Sequence, residues 1–226
     1  MQQILVYADS LCWGIVPGTR RRLPFAQRWP GVLETALRQN LDHNAGGAAA
    51  VRVIENCLNG RRTVWDDPFK PGRDGRQGLA QQIEMHSPLR LVIVMLGSND
   101  FQSTHQHNAW HSAQGIRTLV QLIRQAPIEP DMPRPDVMIM APPRPRPVID
   151  NSDMAEKFRG AADKCEGLAR AYQSVCHALG CDFFDADALI QTSATDGVHL
   201  DAAEHGILGK ALVPAVIKYL MSRAEN

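Results

Sequence analysis

Leu89-Arg90-Leu91-Val92-Ile93-Val94-Met95-Leu96 is a nearly continuous apolar run that stops abruptly at Gly97-Ser98-Asn99-Asp100. A strand with one face in water alternates apolar and polar residues. This one does not, and its richness in valine and isoleucine is that of a central parallel strand buried on both faces. Toward the N-terminus, Ile4-Leu5-Val6-Tyr7 and Val51-Arg52-Val53-Ile54 read as two further short strands. Toward the C-terminus, Val137-Met138-Ile139-Met140 and Asp182-Phe183-Phe184-Asp185 read as two more.

Helical patterns fill the intervals. Arg28-Trp29-Pro30-Gly31 opens one, with Trp29, Val32, Leu33, Ala36, Leu37 and Leu41 at 3.6-residue spacing and Pro30 in the first turn. Asp42 to Ala50 is a small, polar, glycine-containing connection. Leu79 to Met85 and Ser112 to Gln125 are amphipathic, and Ala155 to Leu179 carries one continuous apolar stripe closed by Gly180. The last helix is expected to start at Asp201, with Glu204 completing a capping box, and to bury Ile207, Leu208, Ala211, Leu212, Val216 and Leu220. Strand and helix alternate without an internal repeat. The expected fold is therefore α/β: a doubly wound, flavodoxin-like three-layer sandwich around a five-stranded parallel sheet, with 1–226 forming one domain.

Composition narrows the function. The 226 residues carry 24 basic and 24 acidic side chains, so nothing marks a nucleic-acid or anionic-membrane partner. No signal peptide or membrane-spanning run is legible, and the reading is a cytoplasmic protein. Five cysteines, Cys12, Cys57, Cys165, Cys176 and Cys181, form no CxxC pair and suit reduced thiols better than a disulfide framework. Neither GxGxxG nor GxxxxGK[ST] follows a strand, so a nucleotide is not expected. His105-Gln106-His107 with His111 is the nearest approach to a metal pattern, but it reads as a loop at a cleft rim. No metal and no cofactor are expected.

Ligands in open α/β sheets bind at the carboxyl ends of the strands. There the chain places Ser10 after the first strand, Asn59-Gly60 after the second, Gly97-Ser98-Asn99-Asp100 after the third, and Asp196-Gly197-Val198-His199 after the fifth. Each has an ordinary explanation alone, as a turn, a helix cap or a loop histidine. Together they supply a nucleophile, a base, a group to orient the base, and donors for an oxyanion.

These blocks, Ala8-Asp9-Ser10-Leu11, Gly60, Gly97-Ser98-Asn99-Asp100 and Asp196-Gly197-Val198-His199, resemble in order and spacing the four blocks of the SGNH, or GDSL, hydrolases. Ser10-Leu11-Cys12-Trp13-Gly14, Arg28-Trp29, Asp66-Asp67-Pro68 and Phe183-Phe184-Asp185-Ala186 are similar to the bacterial arylesterase and acyltransferase subgroup. Two departures are Ala8, where the family usually has glycine, and the flanks of Gly60, Asn59 and Arg61-Arg62. The resemblance implies the SGNH fold, Ser10 as nucleophile, His199 as base, Asp196 as its orienting acid, and an oxyanion hole from Ser10, Gly60 and Asn99. Asp9 and Asp100 are assigned local hydrogen bonds.

Trp13 and Cys12 beside the nucleophile, with Pro142 after the fourth strand, are the expected pocket residues. They suggest a narrow apolar site for small acyl groups such as acetyl. Arg20-Arg21-Arg22 and Arg61-Arg62 stand as candidates for an entrance favouring a polar or anionic leaving group. The expected activity is hydrolysis of short-chain carboxylic esters, aryl esters included, through an acyl-enzyme on a small-molecule substrate. The subgroup is also associated with acyl transfer to alcohols and peroxide and with assemblies of several subunits. A homo-oligomer is thus expected, and an acyltransferase or perhydrolase activity using the same site is the implied alternative. A non-catalytic small-ligand module is the alternative from another class.

Overall fold

The computed structural model describes residues 1–45, 50–147 and 152–221. In chain order it contains β1 (Gln2–Ala8), α1 (Ser10–Trp13), α2 (Trp29–Ala45), β2 (Val51–Cys57), α3 (Leu79–His86), β3 (Leu91–Met95), α4 (Ala109–Arg124) and β4 (Asp136–Ala141). It continues through α5 (Asp153–Lys157), α6 (Ala161–Lys164), α7 (Leu168–Leu179), β5 (Asp182–Asp185), α8 (Ala202–Ala211) and α9 (Val213–Met221). The expected connection from Asp42 to Ala50 is helical through Ala45, and 46–49 lie outside the described residues.

All strand pairs are parallel, in the order β2-β1-β3-β4-β5. The pleat sends successive side chains to opposite faces. Ile4, Val6, Leu91, Ile93, Met95, Met138 and Met140 meet Leu33, Leu37, Leu208, Val216 and Leu220 of α2, α8 and α9, with Leu212 between the last two. Leu5, Tyr7, Val92, Val94, Val137 and Ile139 meet the apolar sides of α3, α4 and α7 on the other face. Residues 91–95 are buried throughout, as a strand covered on both sides requires. The chain winds from β1 outward to β2 and then back across to β3. The carboxyl ends of β1 and β3 therefore flank the point where the winding reverses, the position at which such sheets open a crevice.

Two predicted helices are divided. The stripe from Ala155 to Leu179 runs over α5, α6 and α7, because Gly160 (φ 73°) and Gly167 (φ 76°) take left-handed conformations that glycine adopts without a Cβ clash. The apolar side chains still face the sheet, so the pattern survives while the helix axis turns. Lys164 anchors this bent segment by donating from Nζ to the carbonyls of Gln102 (3.1 Å) and His105 (2.6 Å). The last helix breaks after Ala211 because Pro214 has no N–H to continue the ladder. Asp201 occupies the cap position of α8 without a side-chain capping bond, and Ile207 is exposed rather than buried. Glu204 instead accepts from the Gln191 amide at 3.3 Å. Among the described residues, no helix is long and apolar enough to cross a membrane.

Candidate active site

β1 ends at Ala8, and Ser10 opens the single turn of α1, so the hydroxyl stands at the mouth of the crevice. Asp9 fixes this turn by accepting from the Leu11 amide at 2.9 Å. As a first-turn residue, Ser10 has a backbone N–H that no helical carbonyl can reach.

The loop after β5 brings His199 to this serine. His199 Nε2 lies 3.2 Å from Ser10 Oγ, and Nδ1 lies 2.8 Å from Asp196 Oδ2. The three residues are each 7 % exposed, enough to admit a small molecule while removing most bulk water. The Asp196 carboxylate is saturated: Oδ1 accepts from the amides of Val198 (3.1 Å) and His199 (2.9 Å), and Oδ2 also accepts from the Gly18 amide at 3.1 Å. Burial pushes this carboxyl upward, but its bonds to His199 and the backbone amides outweigh that and hold it far below the usual carboxylate range. An ionised Asp196 takes the Nδ1–H as donor, which leaves Nε2 free to accept from Ser10 Oγ–H.

Asn99 reaches the same space from the single 3-10 turn after β3. Its Nδ2 donates to Asp9 Oδ2 at 2.9 Å and to the Arg61 carbonyl at 3.2 Å, and its Oδ1 accepts from Gln102 Nε2 at 2.8 Å. The bend that aims it is specific to Gly97, where φ is 130° and a Cβ would collide with the Tyr172 hydroxyl. Gly60 (φ 85°) forms the turn beyond β2 on the opposite side of Ser10. Arg61 pins that turn by donating to the carbonyls of Ala8 (3.0 Å) and Asn56 (2.6 Å), with its guanidinium 3.8 Å from the Tyr7 ring centre.

Asp9 and Asp100 make local bonds, as expected. Asp100 accepts from the Thr63 amide, the Thr63 hydroxyl and the Ser112 hydroxyl, tying the turn after β3 to the Gly60 loop. Burial raises both carboxyls to about 6, against the pull of these hydrogen bonds.

Ser10, Gly60, Asn99 and His199 share one cleft of about 160 Å³, with Ile15, Val198, Met154 and Phe158 as apolar walls. The expected pocket residues lie elsewhere. Cys12, two positions along a helix from Ser10, points about 200° away from it and is bonded to Cys57 of β2 in a disulfide. This corrects the reading of five reduced cysteines. The pair is 45 residues apart in sequence, and the register Ala8↔Cys57 is what brings it within a Cα–Cα distance of 5.8 Å. Cys165, Cys176 and Cys181 are free thiols. Trp13 lies outside the cleft, its ring 4.6 Å from the Arg22 guanidinium. Pro142 follows β4, two strands from β1, and lines a neighbouring cavity with Ser98, Phe101 and Leu168.

The two arginine clusters divide as well. Arg61 and Arg62 are buried and structural, Arg62 bridging Asp67 at 3.2 Å. Of the candidates for the entrance, Arg20 reaches the cleft, and Lys70 and Lys157 join it without having been anticipated. His105 and His107 stack together and His107 lies over Trp65, burial pushing the latter imidazole down to about 4. Among the described residues no group of three His, Cys, Asp or Glu side chains is arranged to hold a metal ion.

The family model of the GDSL-like lipase/acylhydrolases matches residues 9–207. Among solved structures, a carbohydrate acetylesterase family member from Sinorhizobium meliloti is 34% identical, with 97% of this chain and 99% of that chain covered and a TM-score of 0.88. The native aryl esterase of M. smegmatis is 32% identical over 97% of this chain and 100% of its own, also with a TM-score of 0.88. A lipase/acylhydrolase from Enterococcus faecalis, 17% identical with a TM-score of 0.62 and coverage of 96% and 95%, shares the fold alone. No curated protein matches.

Proposed function

The chain belongs to the GDSL-like lipase/acylhydrolase family and is a carboxylic ester hydrolase, and from that premise we propose that it cleaves short-chain, acetyl-type esters through an acyl-enzyme on Ser10. The observation that carries this reading is the unbroken relay Ser10 Oγ to His199 Nε2, His199 Nδ1 to Asp196 Oδ2. Ser10 Oγ attacks the ester carbonyl while its proton passes to Nε2. The C–O bond to the alcohol then breaks and the alcohol leaves with that proton. Water repeats the sequence on the acyl-serine, giving its proton to Nε2 and releasing the acid as the proton returns to Oγ. The small cleft with apolar walls suits a short acyl group. An alcohol or peroxide that enters in place of water makes the same steps an acyl transfer, and product analysis with added alcohol measures that share.

The test is p-nitrophenyl acetate turnover together with mass spectrometry after a serine-directed organophosphonate. The expected result is turnover in the wild type and a single adduct on Ser10. Folded protein with neither turnover nor adduct would sink the reading and leave a ligand-binding module.

In the oxyanion hole we place the amides of Ser10 and Gly60 and the Nδ2 of Asn99. Asp9 holds one Asn99 hydrogen, and the longer contact to the Arg61 carbonyl is the one a developing oxyanion displaces. Asn99→Ala is expected to lower kcat by about a hundredfold or more, with little change in KM, because this donor acts chiefly on transition-state charge. Steady-state kinetics check this, and an unchanged kcat would remove Asn99 from the site.

A further inference from the structure

Three cations from separate segments meet at the mouth of the Ser10 cleft: Arg20 from the loop after α1, Lys70 from the turn after Asp67, and Lys157 from α5. Among the described residues none of them has a carboxylate partner, whereas Arg22, Arg28, Arg38, Arg62 and Arg76 each have one. The anion that acts on both lysines, Asp67, is buried and bridged to Arg62. The three cations also repel one another. Desolvation lowers both lysines first; for Lys157 the attraction of Asp67 comes next and opposes it, with Arg62, Lys70 and Arg20 lowering it further, and for Lys70 the repulsion of Arg73 and Arg20 is opposed by Asp67. Among the described residues, a chain with equal numbers of acidic and basic side chains thus places three cations without an ion-pair partner around one cleft.

We infer that the preferred substrate of this ester hydrolase carries an anionic group, a carboxylate or a phosphate, on its alcohol portion, and that Arg20, Lys70 and Lys157 bind it. The inference rests on the hydrolase reading above. For Arg20 the side is set by Gly18, which donates to Asp196 Oδ2, so that the loop bearing Arg20 lies on the His199 side where the alcohol leaves. Gly60 and Asn99 occupy the oxyanion side. The apolar walls take the acyl group, and the cleft is too small for an alcohol of any size, which must extend outward over the cations. A cleft lined with one sign of charge concentrates ligands of the opposite sign.

The experiment compares kcat/KM for 4-acetoxybenzoate, 4-acetoxyphenyl phosphate and the neutral 4-acetoxybenzamide, each divided by its rate with hydroxide. At least one anionic ester is expected to exceed the amide by about tenfold at low salt, with the ratio shrinking as ionic strength rises. The arm that wins distinguishes carboxylate from phosphate. In the variant combining Arg20→Gln, Lys70→Gln and Lys157→Gln the ratio is expected to fall toward one, whereas a purely structural role would slow all three esters alike. Lys70→Gln alone, at an exposed position, is expected to lower the ratio in part and covers failure of the triple variant to fold. An amide turned over as well as both anions by the wild type would overturn the inference while leaving the hydrolase reading intact. Loss of turnover on every ester, with no organophosphonate adduct, would overturn both.

Discussion

Ser10→Ala is expected to lower kcat for p-nitrophenyl acetate by about a millionfold, to the level left by binding and the oxyanion donors alone. The substitution removes one oxygen, whose hydrogen bond in the structure is to His199. Alanine suits the first turn of a helix, and the cap of α1 comes from Asp9, not from Ser10. The fold and its melting temperature should therefore change little, and the loss is attributable to the missing nucleophile. The release of p-nitrophenol at high enzyme concentration checks it: the wild type is expected to give an acylation burst at low pH or temperature, and the variant none. A Ser10→Ala protein that keeps turnover within tenfold of the wild type would sink the acyl-enzyme. The histidine would then have to be activating water directly.

Much of this arrangement was legible in the sequence because it depends on short-range chemistry. A continuous apolar run forces a strand covered on both faces, and the alternation of strands with helices forces parallel neighbours. Parallel neighbours place their carboxyl ends on one edge, so Ser10, Gly60, Asn99, Asp196 and His199 could be brought together without knowing any distance. What escaped depends on register or on direction. The Cys12–Cys57 bond follows from Ala8 pairing with Cys57 across two strands, which no spacing announces. Trp13 and Cys12 neighbour Ser10 in sequence, but about 100° of rotation per helical residue carries the Cys12 side chain to the far side of the turn. The stripe from Ala155 to Leu179 concealed two left-handed glycines, since the apolar faces of the three short helices follow one another in phase. Lys70 in its turn and Lys157 and Phe158 at the end of α5 meet the cleft only after the whole chain is folded.

Asp196→Asn is expected to cost about ten-thousandfold in kcat, although it changes neither the size nor the shape of the side chain. The surrounding donors decide why. In the native site Oδ1 accepts from the amides of Val198 and His199, and Oδ2 accepts from the Gly18 amide and His199 Nδ1. An asparagine has one oxygen for these two positions. With two fixed backbone donors on the Oδ1 side, the oxygen stays there and the NH₂ group faces His199. Nδ1 must then accept, so the imidazole proton moves to Nε2, where it points at Ser10 Oγ and can no longer take the hydroxyl proton. The Gly18 amide also faces a donor, which costs about 1–3 kcal/mol of stability as a small fall in melting temperature. Rate and stability thus separate, because a modest loss of folding energy cannot produce a ten-thousandfold loss of turnover in protein that is still folded. Organophosphonate labelling of Ser10 should slow in parallel with kcat, since both reactions need the serine deprotonated. The double variant Ser10→Ala with Asp196→Asn should be no slower than Ser10→Ala alone, because an orienting residue has nothing to orient once the nucleophile is gone. Multiplying losses in that double variant would instead mean that Asp196 acts on the substrate by a route that bypasses Ser10.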